Sequence, residues 1–272
     1  ESSKGEDGYV SLEVSPKLAR DTAGTISEAK RFFAALDRPN VMIKIPATPE
    51  GIPAITEVIG AGINVNVTLM FSLDHYDAVA EAYIKGLEQL AANGGDVSKV
   101  ASVASFFVSR VDSAVNKQLD DIGTDEAFAL RGKIAIDNAK LAYERFKETF
   151  AGERWQALAD KGANVQRPLW ASTGTKDDAY PDTLYVDSLI GPHTVNTVPP
   201  NTMDAFLDHG TVAATLETDL DGAKGRMAKL ADLSVSLDAI TDKLQDDGVD
   251  SFAKSFDSLM GSIESKREAL VK

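Results

Sequence analysis

Short, dense apolar runs alternate along the chain with longer stretches in which apolar residues recur at three- and four-residue steps. Tyr9–Val14 (YVSLEV), Val41–Pro46 (VMIKIP), Asn64–Phe71 (NVNVTLMF), Val100–Val108 (VASVASFFV), Pro168–Ser172 (PLWAS) and Thr194–Val198 (TVNTV) are rich in β-branched and aromatic residues and predict strands. Between the early ones, Ile26, Ala29, Phe33 and Leu36, then Ile52, Ile55 and Ile59, then Tyr76, Val79, Tyr83 and Leu87 mark one face of successive helices. This alternation predicts right-handed βαβ units on a parallel sheet, an α/β fold. After the fourth run the helical pattern lengthens through AVNKQLDDIG and DEAFALRGKIAIDNAKLAYERFKETF. From about Ala205 to Lys272 strand signals cease, and the tail reads as helices broken near Asp246–Gly248.

Parity within the strands carries the chemistry, because residues two apart share a face of a sheet. Lys44 shares a face with Met42, opposite Val41, Ile43 and Ile45. A lysine inside such a run loses hydration, which favours the neutral amine and suits it to Schiff-base formation with a carbonyl. The alternative is a strand-end lysine that reaches solvent or pairs with a carboxylate. The neighbouring strands favour the first reading. Glu13 shares a face with Tyr9 and Ser11, while Asn66 and Thr68 share one with Asn64 and Met70. Polar residues on the inner face of consecutive parallel strands are uncommon in a pure packing core. A carboxyl beside a Schiff-base lysine also supplies the proton transfers of carbinolamine and enamine steps.

Two further segments offer anion contacts. Arg110 follows the fourth run, where a guanidinium can bind phosphate with Ser105 and Ser109 as hydroxyl donors, or can simply be a surface arginine. The turn ASTGTKDD carries Ser172 and Lys176, residue types that also form ordinary loops.

Composition narrows the choice. With 43% apolar and 26% charged residues the chain can bury a core. Its net charge of −14 repels a phosphorylated ligand at long range, so such a ligand needs local cations. The same charge leaves no basic footprint for nucleic acid. The lack of Cys excludes disulfides, thiolate zinc sites and a cysteine nucleophile, and it suits the cytoplasm. The three His residues sit in no recognisable metal motif, so no metal is expected. No apolar run approaches the roughly 20 residues of a membrane span, and the polar start ESSKGEDGYV is unlike a signal or transit peptide.

The segments GYVSLEVSP, MIKIPATPEGIPAI, GINVNVTLMFS, VASFFVSRVD, PLWASTGTKD and TVNTVPPNTMDAF together resemble the transaldolase family, in its longer bacterial type with an extended helical C-terminus. The resemblance spans nearly the whole chain, in the family's order. It implies a (β/α)8 TIM barrel of the class I aldolase kind, acting in the pentose phosphate pathway. Such an enzyme transfers a dihydroxyacetone unit from sedoheptulose 7-phosphate to glyceraldehyde 3-phosphate, giving erythrose 4-phosphate and fructose 6-phosphate. By motif, Lys44 is similar to the Schiff-base lysine, Glu13 to the acid/base carboxylate working through a water, and Thr68 to the residue holding that water. Asn66 is similar to the side chain that contacts substrate hydroxyls. Ser105 and Arg110 resemble phosphate-side contacts, Ser172 a pocket serine and Lys176 a basic phosphate ligand. No cofactor is implied, since the iminium is itself the electron sink.

At 272 residues the length alone suits a complete barrel, which takes roughly 250. Strand counting changes that. The family's first two strands, one bearing an aspartate and one an asparagine motif, have no counterpart here. The expected architecture is therefore barrel strands three to eight in residues 1–204, with residues 205–272 as a helical extension packed on the same domain. The expected partners are phosphorylated sugars, together with the family's N-terminal segment or a second copy of the chain; neither nucleic acid nor a membrane is expected. Two other functions fit the same residues: a class I aldolase that releases dihydroxyacetone or its phosphate, and an inactive barrel fragment acting as a scaffold.

Overall fold

A computed structural model describes residues 3, 5 and 7–271. Six parallel strands form one sheet in chain order: β1 (Val10–Glu13), β2 (Val41–Pro46), β3 (Val65–Met70), β4 (Ser102–Phe107), β5 (Arg167–Ala171) and β6 (Val195–Asn196). Each falls within one residue of a run predicted above or inside it. Helices α1 (Thr22–Leu36), α2 (Gly51–Gly60) and α3 (Leu73–Ala92) make the first three crossovers. The β4 to β5 connection holds α4 (Ser109–Ile122), the single turn α5 (Asp125–Phe128), α6 (Ile134–Thr149) and α7 (Glu153–Ala159). Then α8 (Leu184–Ser188) precedes β6, and α9 (Pro200–His209), α10 (Leu220–Asp232) and α11 (Leu237–Val271) complete the chain. Strands that pair in strict chain order through helical crossovers are the arrangement of successive barrel staves.

The local chemistry of the ends is conventional. Asp21 caps α1 by accepting from the Gly24 amide, and Ser72 caps α3 by accepting from the His75 amide. Gly123 ends α4 in the left-handed conformation that a residue with a Cβ adopts only with strain. The helices pack their apolar faces on the sheet, so β3 and β4 are buried along their whole length. Tyr76, Tyr83 and Trp170 are fully enclosed, and burial of large side chains of this kind contributes roughly 1.5–3 kcal/mol each.

β1 is an edge strand bonded only to β2, and its apolar side is uncovered, with Val10 64% and Leu12 39% exposed. One expectation needs correction: the tail does not break at Asp246–Gly248, since α11 runs unbroken through these residues. The interruption lies before it, where Ser234 takes a left-handed φ of 61°. Gly248 is a packing residue: a Cβ there would stand 2.8 Å from Leu69 Cδ2. Tertiary contact with β3 outweighs the roughly 1 kcal/mol that a helical glycine costs. Further on, α10 lies along α6, and α11 crosses from α4 and β3 to the turn after β1. Among the described residues no helix is long and apolar enough to cross a membrane.

Candidate active site

The strand register aligns three of the predicted residues. Glu13 pairs with Lys44, and Lys44 pairs with Asn66, so β1, β2 and β3 each contribute one polar side chain to a single row. Paired positions on parallel strands present their side chains to the same face. Asn66 is buried and clamped at both ends: its Nδ2 donates to Ser11 Oγ at 3.0 Å, and its Oδ1 accepts from Ser105 Oγ at 2.7 Å. Ser105 thus spends its proton on orienting Asn66. Thr68, one step along β3, is fully buried, and its hydroxyl has no partner among the described residues.

Lys44 and Glu13 are half-buried. Burial raises the pKa of the Glu13 carboxyl above its ordinary value, and the positive charge of Lys44 offsets part of that rise. The pair therefore combines an amine with a carboxyl biased towards holding its proton. Glu13 opens on a cavity of about 400 Å³ whose facing wall is α11, through Phe252, Phe256 and Leu259. The Phe252 ring centroid is 5.6 Å from Lys44 Nζ and 5.9 Å from Arg110 Cζ, within cation–π range of both.

Arg110 lies in the first turn of α4 and also stands over the Phe107 ring, at 5.3 Å. The start of this helix is tied to the end of β5. Ser109 and Ser172 share a hydroxyl hydrogen bond of 2.7 Å, and the Ser109 amide donates to the Ser172 carbonyl. Ser172 holds a left-handed φ of 59°, a strained conformation for a residue with a Cβ.

The model of the transaldolase/fructose-6-phosphate aldolase family matches residues 3–263. A transaldolase of Thermobifida fusca is 53% identical over 97% of this chain and 72% of its own length. One from Frankia alni is 54% identical, over 97% and 71%. Another, from Trichodesmium erythraeum, is 51% identical over 99% and 74%. The chain belongs to the transaldolase/fructose-6-phosphate aldolase family.

Within this family member the predicted residues do not all meet. Glu13, Lys44, Asn66, Thr68 and Ser105 share the sheet interior, and Arg110 joins Lys44 beneath Phe252. Lys176 is exposed and lines a separate groove with Asp112, Arg131 and Asp177. There Asp112 is buried, accepts from Tyr185 and Asn116, and has its carboxyl pKa raised by burial. Arg131 donates to Asp177, which holds the turn next to Lys176. Sequence reasoning missed Ser11, Gln245 and Phe252. The last two lie with Gly248 on one face of α11, at a spacing that reads as ordinary packing.

Proposed function

We propose that the chain is a transaldolase of sugar phosphate metabolism in the cytoplasm, and that β1 to β6 are strands three to eight of a (β/α)8 barrel. The uncovered side of β1, with Val10 and Leu12, is the seam at which the family's first two strands would lie. Residues 205–272 belong to the same unit, in keeping with the contacts of α10 with α6 and of α11 with α4. The Glu13–Lys44–Asn66 row carries the functional reading.

In this mechanism the Lys44 amine attacks the ketose carbonyl, and loss of water from the carbinolamine gives an iminium. Glu13 exchanges the necessary protons through a water held on the free Thr68 hydroxyl, a role its raised pKa suits. Removal of the C4 hydroxyl proton then breaks the C3–C4 bond, whose electron pair flows into the iminium; this releases an aldose phosphate and leaves a three-carbon dihydroxyacetone enamine on Lys44. Asn66, fixed between Ser11 and Ser105, orients the sugar hydroxyls. Arg110, at the start of α4, binds the phosphate, where the helix dipole adds to its charge. Ser172 contributes a pocket hydroxyl, and Lys176, in the neighbouring groove, adds positive charge at longer range.

A donor–acceptor exchange assay tests the reading. With fructose 6-phosphate as donor, glyceraldehyde 3-phosphate and sedoheptulose 7-phosphate form only when erythrose 4-phosphate is present. Equal glyceraldehyde 3-phosphate without an acceptor indicates the aldolase that releases dihydroxyacetone. No turnover of either kind indicates the scaffold.

A further inference from the structure

The helix over the site is fastened to the strands that carry the chemistry. Gln245 is buried, and its Nε2 donates to the carbonyls of Ala47 and Leu69, each at 3.0 Å. These carbonyls lie just past Lys44 on β2 and Thr68 on β3. Leu69 has a left-handed φ of 60° within an irregularity of the β3–β4 register, and it packs directly under Gly248. Positions 245, 248 and 252 fall on one face of α11. The fastening therefore delivers Phe252, two turns on, over Lys44 and Arg110 at once. Beyond it Phe256 and Leu259 continue an apolar wall opposite Glu13. Ser255 is the one hydroxyl that α11 adds to this lining.

We propose that Phe252 is a positioning residue that shields the Lys44-bound enamine from water and so directs it to the acceptor aldehyde. This rests on the Schiff-base reading of Lys44 given above. The enamine has two fates. In transfer, its nucleophilic carbon bonds to the aldehyde carbon, the aldehyde oxygen takes a proton, and the nitrogen becomes an iminium. In release, that carbon is protonated instead. Water then adds to the resulting iminium, the carbon–nitrogen bond breaks, and dihydroxyacetone leaves with Lys44 restored as the amine. A ring over the nitrogen leaves less water beside the enamine to protonate that carbon and to attack the iminium that follows. The acceptor enters through the Glu13 cavity, which Phe252 itself lines, so the ring moves aside for the sugar and returns over the nitrogen.

The test compares dihydroxyacetone release with sedoheptulose 7-phosphate formation, using fructose 6-phosphate and erythrose 4-phosphate, in Phe252→Leu, Phe252→Val and Phe252→Ala. The release-to-transfer ratio rises in that order, by roughly tenfold at alanine, equivalent to about 1.4 kcal/mol of relative barrier. If alanine does not fold, the leucine and valine variants still differ in cover. A purely structural loss lowers both products together and leaves the ratio unmoved. A flat ratio across the folded variants overturns the proposal. Borohydride trapping in the unsubstituted chain separates the two readings: no adduct on Lys44 refutes the Schiff-base reading itself, whereas a normal adduct with a flat ratio refutes only the shield.

Discussion

The Glu13–Lys44–Asn66 row lies on strands of which β3 is buried from end to end and β2 at every position but Lys44, whereas Phe252 reaches the same place from a helix whose last residues, 257–271, are all exposed. Ladder hydrogen bonds and neighbouring strands hold Lys44 and Asn66 from both sides, and Glu13, on the edge strand β1, from the β2 side. The helix is held in its first half by Ile240, Leu244 and Val249 on the core, by Gln245 and by the Gly248–Leu69 contact, and beyond residue 256 by ion pairs in solvent, such as Lys17 with Asp257 at 2.8 Å. The difference teaches that one side of the site fixes geometry and the other governs access. Elements with few buried contacts are those that open at least cost, and a cover over a reacting nitrogen must open to admit sugar.

The largest way to break this division is to change the strand side. Glu13→Gln keeps the shape and removes the proton carrier, so kcat falls about 10²- to 10⁴-fold with the donor KM little changed. The same substitution has a stability signature. Because burial raises the Glu13 pKa in the folded state, its contribution favours folding at acid pH and is lost as pH rises from the ordinary carboxylate range through the raised value. Urea unfolding across that range shows wild type losing stability relative to Glu13→Gln as pH rises. Parallel curves would contradict the assigned pKa direction.

A middle-sized effect comes from the fastening. Gln245→Leu leaves the carbonyls of Ala47 and Leu69 unpaired and costs about 1–3 kcal/mol. Amide exchange accelerates first in α11, while β2 and β3 keep their protection; uniform acceleration would mean that helix and sheet open as one unit. The smallest effect belongs to the rim. Lys17 and Asp257 are both more than half exposed, so Lys17→Ala changes stability by less than about 1 kcal/mol and leaves turnover alone. A larger loss would place the helix under tighter control than its contacts provide.

Much of the strand side was legible in the sequence, because period-two parity places Glu13, Lys44, Asn66 and Thr68 on defined faces and pairing does the rest. Ser11 was not. Its bond to Asn66 joins β1 to β3 across β2, and it depends on a register that no single strand specifies. The open edge at β1 was legible from the strand count alone, whereas Val10 and Leu12 have the same apolar pattern whether or not anything packs on them. On the helix, Asp246, Asp247 and Gly248 carry a local preference for a break, and only the contact with Leu69 reverses it. Phe252 looked like any core aromatic because its meaning depends on two cations from other elements. Lys176 was legible as a basic residue in a turn, but its separate groove was not, because the Arg131–Asp177 pair that holds the turn joins distant segments.

The most direct measurement incubates the chain with fructose 6-phosphate, reduces it with borohydride and locates the adduct by peptide mass mapping. The row of Glu13, Lys44 and Asn66 predicts a dihydroxyacetone adduct on the peptide containing Lys44 and none in Lys44→Ala. An adduct on another lysine, or one that persists in Lys44→Ala, would contradict it.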